Sequence, residues 1–148
     1  MTKSKYTDDL TLTRQRDAVL KVVRSSIRHL TANEIFDKAK TSLPGISFAT
    51  VYNALRYLKD HGMLGEVRFG SNAARFDRRL SRHDHALCVR CNEIVDLDLP
   101  IPEGLIQKAA EHSKFEPGSI EFTLHGLCPK CRKRSSTKNP ESNRNKAW

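Results

Sequence analysis

The sequence predicts an α+β protein made of two small domains, an N-terminal winged helix-turn-helix over residues 1–80 and a C-terminal α/β unit over residues 81–131. Three observations predict this. Three stretches with helical spacing of apolar residues stand close together before Gly62, and a short hairpin pattern follows them. Beyond residue 81 the pattern changes to alternating strands around one helix. Two Cys-x-x-Cys pairs bracket that second part.

From Thr13, the apolar positions Val19, Leu20, Val22 and Val23 mark a first helix that ends near Ser25-Ser26. Thr31-Ala-Asn-Glu34 has the spacing of a capping box, in which the Thr hydroxyl and the Glu carboxylate satisfy backbone N–H groups at the start of a second helix. Leu43-Pro44-Gly45 breaks that helix. Ser47 opens a third, with Val51, Leu55 and Leu58 on its core face, and Gly62 stops it after His61. Leu64 to Phe69 and Ala73 to Phe76 then form the two strands of a wing around a Gly70-Ser-Asn72 turn.

In the second part, Ala86 to Cys91 and Glu93 to Leu99 read as strands. Pro102 stands where a helix can start, Glu103 to His112 fills that helix, and Ser119 to Leu124 is a further alternating strand. From Arg132 to Trp148 Lys, Arg, Ser, Asn and Pro dominate, so residues 132–148 are expected to form a disordered basic tail.

Charge is distributed unevenly. Residues 1–80 carry 15 Lys/Arg against 8 Asp/Glu, residues 81–131 carry 5 against 8, and residues 132–148 carry 6 against 1. A basic first half suits a polyanion, and an acidic second half with His and Cys suits cations. A hydrophobic share of 38% supports only a modest core, which a metal or a partner subunit would supplement. No apolar run is long enough to span a membrane, and the polar stretch Met1 to Tyr6 lacks the apolar segment of a secretory signal, so a cytoplasmic location is expected. The reducing poise of that compartment disfavours disulfides and turns attention to metal binding.

Cys88-Val-Arg-Cys91 and Cys128-Pro-Lys-Cys131 each offer two thiolates that can occupy two corners of a tetrahedron. Together Cys88, Cys91, Cys128 and Cys131 predict a closed structural Zn(II) site that ties residue 88 to the chain end at 131. His83-Asp-His85 is the second signal: an extended chain alternates faces, so both imidazoles point to one side and Asp84 to the other. Asp96 and Asp98 likewise share a face, opposite Val95, Leu97 and Leu99. Spacing alone leaves these carboxylates open between a ligand role and a solvated edge.

These residues resemble the ferric uptake regulator superfamily, and within it the peroxide-responsive branch. The resemblance runs from about Leu12 to Cys131, through Leu12-Thr-Arg-Gln-Arg16, His29-Leu-Thr-Ala-Asn-Glu34, Ser47-Phe-Ala-Thr-Val-Tyr-Asn53, Arg75-Phe-Asp77, His83-Asp-His85 and the two cysteine pairs. It implies a DNA-binding winged helix, a C-terminal dimerisation domain and a regulatory Fe(II) or Mn(II) held by His29, Asp77, His83, His85 and Asp96. Such a nitrogen/oxygen set without sulfur suits those ions, while the thiolates suit zinc. Asp77 and Asp96 stand where iron-uptake members more usually have Glu, and Asn53 where they more usually have Arg. Arg82 and Ile120 stand where many members have further histidine ligands, so no additional metal site is expected and Asp84 is not counted as a ligand.

The functional expectation is a metal-dependent transcriptional repressor, not an enzyme, that binds an inverted repeat of double-stranded DNA as a homodimer. The third helix would enter the major groove with Ser47 at its start and Thr50, Tyr52, Asn53 and Arg56 near DNA, and Arg14 and Arg16 would lie near phosphates. The resemblance implies that peroxide acts by oxidising His29 or His83 in the Fe(II) form. A repressor that reports only iron, manganese or zinc concentration is the alternative within the same class. A metal-dependent hydrolase would leave the winged helix unexplained, and a zinc-stabilised interaction module would leave the basic first half unexplained.

Overall fold

The computed structural model describes residues 12–136. The chain divides into two compact units between Ser81 and Arg82.

In the first unit, helix α1 (Arg14–Ser25) starts at Thr13, whose side chain accepts a hydrogen bond from the Arg16 backbone N–H at 3.3 Å. Helix α2 (Ala32–Ser42) carries the complete capping box: Thr31 Oγ1 accepts from the Glu34 N–H at 3.3 Å, and the Glu34 carboxylate accepts from the Thr31 N–H at 2.8 Å. Helix α3 (Phe48–Asp60) is capped by Ser47, whose hydroxyl accepts from the Thr50 N–H at 3.1 Å. It ends where Gly62 takes a positive φ of +66°, a conformation that costs a side-chain-bearing residue energy.

The three helices close over one apolar core, to which α1 gives Val19, Leu20 and Val23, α2 gives Ile35 and Ala39, and α3 gives Val51, Ala54, Leu55 and Leu58. Full burial of a side chain such as Leu58 contributes about 1.5–3 kcal/mol relative to exposure. The wing is a three-stranded antiparallel sheet in the order β1-β3-β2, formed by β1 (Leu30–Thr31), β2 (Gly65–Val67) and β3 (Arg75–Asp77). Its hairpin strands are shorter than the expected segments 64–69 and 73–76, and β1 is an addition. Two residues have no periodicity of their own. Leu30 becomes a strand residue because it pairs with Phe76.

The second unit holds β4 (Asp84–Cys88), β5 (Ile94–Leu97), α4 (Glu103–Ser113), β6 (Thr123–Gly126) and α5 (Pro129–Ser136). Its sheet order is β5-β4-β6, with β4 antiparallel to β5 and parallel to β6. Three expectations need correction. The strand expected over 86–91 ends at Cys88, because the Cys-x-x-Cys segment doubles back: Asn92 N–H donates to Cys88 O and Cys88 N–H to Glu93 O, both at 2.9 Å. The strand expected over 119–124 is displaced to 123–126, where its parallel pairing sets Leu87 against His125 and Cys88 against Gly126. Arg132 to Ser136, expected to be disordered, continue α5, which is anchored by buried Cys131 and by the Arg90 guanidinium on Cys131 O at 3.1 Å. The rest of the expected tail, residues 137–148, lies outside the described residues.

Candidate metal centres and nucleic-acid interface

The four cysteine sulfurs lie within 4.8 Å of one another. Cys91 Sγ and Cys128 Sγ are 3.7 Å apart, far beyond a disulfide bond and close to the edge of about 3.8 Å that zinc–sulfur bonds near 2.3 Å give a tetrahedron. The turn geometry serves the sulfurs directly: the Cys128 N–H donates to Cys88 Sγ at 3.3 Å and the Cys131 N–H to Cys128 Sγ at 3.5 Å. Backbone N–H groups of Cys128, Cys91 and Arg90 pull the Cys88 thiol down to about 6, which favours its thiolate form. Burial pushes the Cys131 thiol up to about 12, and neighbouring sulfurs add to this. Four closely packed sulfurs, some holding protons tightly, are a poor arrangement without a cation and fit zinc.

Within the first unit, His29 and Asp77 are both buried, and His29 Nε2 stands 3.0 Å from Asp77 Oδ2. That separation suits a hydrogen bond. It also suits two neighbouring ligands of one ion with bonds near 2.1 Å. The pair is braced from β3 and the residues just after it: the Arg79 N–H donates to Asp77 Oδ1 at 2.8 Å, and the Arg75 guanidinium donates to His29 O at 3.1 Å. Nothing in the spacing of the sequence identified Arg75 as a brace, since its reach to His29 depends on the β1–β3 pairing, whereas the Arg79 contact is local, two residues along the chain.

Within the second unit, β4 and β5 place His85 directly opposite Asp96. The Nε2 atoms of His83 and His85 converge on one oxygen, Asp96 Oδ1, at 3.4 and 3.7 Å, and the two rings meet edge to face with centroids 4.6 Å apart. Asp84, on the opposite face of β4, is wholly buried. Its Oδ1 accepts from Arg82 Nη2 at 2.9 Å and from the Phe122 N–H at 2.9 Å, while Arg82 Nε donates to Ile120 O at 3.0 Å. A guanidinium already neutralises this carboxylate, so the face away from the imidazoles is structural.

On α3, the face opposite the core presents Tyr52, Asn53 and Arg56 to solvent. Thr50 is half-buried, and its hydroxyl is bonded to Ser47 Oγ at 2.8 Å, so Ser47 and Thr50 build the start of the helix. Arg14 is exposed on α1. Arg16 joins Thr13, Gln15, Thr50, Asn53 and Ala54 around a hollow of about 220 Å³ between α1 and α3.

The "Ferric uptake regulator family" model matches residues 7–125. The chain is similar to the peroxide-responsive repressor of Staphylococcus saprophyticus, at 37% identity over 120 residues that cover 81% of each chain. It is 34% identical to the peroxide operon regulator of Bacillus subtilis, across 84% of this chain and 86% of that one. Among solved structures it resembles the Campylobacter jejuni peroxide stress regulator, with a TM-score of 0.61 and 26% identity over 79% of this chain and 88% of that chain. The match takes in the winged helix, the His-Asp-His strand and the first cysteine pair, and the chain belongs to the ferric uptake regulator family.

Proposed function

We propose that this protein is a metal-dependent DNA-binding transcriptional repressor that releases its operator when peroxide oxidises its Fe(II) form. The observation that carries the reading is the sorting of donor types: in the second unit the four sulfurs gather in one cluster while His83, His85 and Asp96 converge without sulfur, and in the first unit His29 meets Asp77. His29, Asp77, His83, His85 and Asp96 are the proposed ligands of one regulatory Fe(II) or Mn(II), with Cys88, Cys91, Cys128 and Cys131 on a structural Zn(II). Ligands drawn from both units would make metal occupancy and the DNA-binding arrangement one equilibrium.

The first unit is the proposed DNA reader. Arg14 and Arg16 contact phosphates, and Tyr52, Asn53 and Arg56 face the major groove, with Ser47 and Thr50 at the helix start close to the backbone. The second unit pairs with a second copy, so the dimer meets an inverted repeat, and the protein works in the cytoplasm. Among the described residues, no helix is long and apolar enough to cross a membrane.

Fe(II) in this site would supply the electrons that reduce peroxide beside the ligand rings, which Mn(II) does not readily do. His29 and His83 are the proposed targets, whereas thiolates held on redox-inert zinc are shielded. The test is protein loaded separately with each ion and given a small excess of peroxide. The Fe(II) form is expected to gain one oxygen on a peptide containing His29 or His83 and to lose DNA binding; the Mn(II) form does neither. An Fe(II) form that keeps its mass and its DNA, or oxidation confined to cysteine, would leave a repressor that reports metal concentration alone.

A further inference from the structure

We infer that Tyr57 is a positioning residue for DNA binding, holding the Arg16 guanidinium beside the groove-reading face of α3; the inference rests on the proposal that this face meets DNA. Arg16 Cζ lies 3.5 Å from the centroid of the Tyr57 ring. The His61 imidazole stacks on the same ring with centroids 3.9 Å apart and an interplanar angle of 27°. Two planar groups at these separations would overlap on one face, so Arg16 and His61 take opposite faces and the ring is sandwiched. His61 is itself fixed, with Nδ1 2.8 Å from Tyr57 O. Tyr57 packs against the core of the first unit, so the platform is anchored at its base as well.

The stack sits where it can direct the arginine. Asn53 is one helical turn before Tyr57 on α3, and Arg16 lines the hollow between α1 and α3 together with Asn53 and Thr50. Arg16 arises from α1, and its head reaches α3 at the Tyr57 ring. A free arginine loses side-chain freedom when it settles on a phosphate, and one already stacked has lost part of that freedom before DNA arrives. The guanidinium keeps its N–H donors at its edge while its face lies on the ring, so stacking and phosphate binding are compatible.

The test uses full-length Mn(II)-loaded protein and mixed-sequence duplex DNA, because a phosphate contact is independent of sequence. Tyr57→Leu is expected to weaken binding roughly two- to fivefold, the range for losing an exposed cation–π contact. Arg16→Ala weakens it further and lowers the salt slope by about one unit. The double variant binds no worse than Arg16→Ala, and Tyr57→Phe, which keeps the ring face, restores what Tyr57→Leu loses. In DNA-free protein, the Arg16 side-chain protons show upfield ring-current shifts by NMR that Tyr57→Leu abolishes. Full additivity of the two losses, or Tyr57→Phe as weak as Tyr57→Leu, overturns the inference. Absent ring-current shifts overturn it even if DNA binds. A wild-type protein with no duplex affinity but intact ring-current shifts would overturn the DNA-reading proposal first and this inference with it.

Discussion

Cys88 unites several roles in one side chain. It ends β4, accepts the Cys128 N–H, and has its pKa lowered by three backbone donors that belong to the two cysteine turns. Replacing it by Ser removes a soft ligand and leaves those donors aimed at a weaker acceptor. Because few apolar side chains are buried in the second unit, zinc bound at these cysteines would supply much of its folding free energy. Cys88→Ser or Cys128→Ser is therefore expected to give protein without zinc that is unfolded in the second unit or monomeric, whereas the parent holds one zinc per chain through mild chelation. Metal analysis with size-exclusion chromatography and circular dichroism checks this, and a folded, dimeric, zinc-free variant would contradict it.

Helix α2 is the element in which local sequence and structure agree most closely. Thr31 ends β1 and caps α2, so one residue sets both the last pairing of the wing sheet and the first turn of a core helix. Burial works to raise the Glu34 pKa, but the Thr31 N–H and hydroxyl and the Arg28 charge outweigh it and leave the carboxyl below its ordinary 4.5. A lowered pKa means that this stabilisation is fully present above the unfolded value. It fades as pH falls through the folded one. Thr31→Ala should cost about 1 kcal/mol, the usual loss for an N-cap. Denaturation at neutral pH and at successively lower pH checks both parts: the difference between parent and variant should shrink as acid protonates Glu34. An unchanged difference would assign the loss to the Thr31 hydroxyl alone.

At the scale of the whole molecule, the two units differ in how they are held together. The first encloses a continuous apolar core. The second leaves Val95, Leu99, Leu105, Phe115 and Leu124 exposed. The register puts Val95 and Leu124 on either side of Ala86 on one face of the sheet, opposite to the face of His85 and Asp96. An apolar face of that kind is the natural seat of a second copy. Leu124→Glu is expected to yield monomers that still hold one zinc each and bind an inverted repeat far more weakly than the parent. Light scattering and zinc content distinguish this from misfolding, and a zinc-replete dimer would place the dimer contact elsewhere.

What the sequence determined by itself is what depends on neighbours along the chain. Helix periodicity, the Thr31 and Ser47 caps, the Gly62 stop and the paired cysteines were all legible, because each is set by interactions within a few residues. The alternation of His83, Asp84 and His85 was legible for the same reason. The tertiary structure decided what depends on pairing across the chain: the two-residue strand β1, the register of β6, the anchoring of α5 by Arg90, and the reach of Arg75 to His29 O and of Arg82 to Ile120 O. It also decided that Tyr57 meets Arg16 from another helix. Side chains brought together over such distances leave no periodic trace, since their contact is set by how helices and strands pack and not by the spacing between them along the chain.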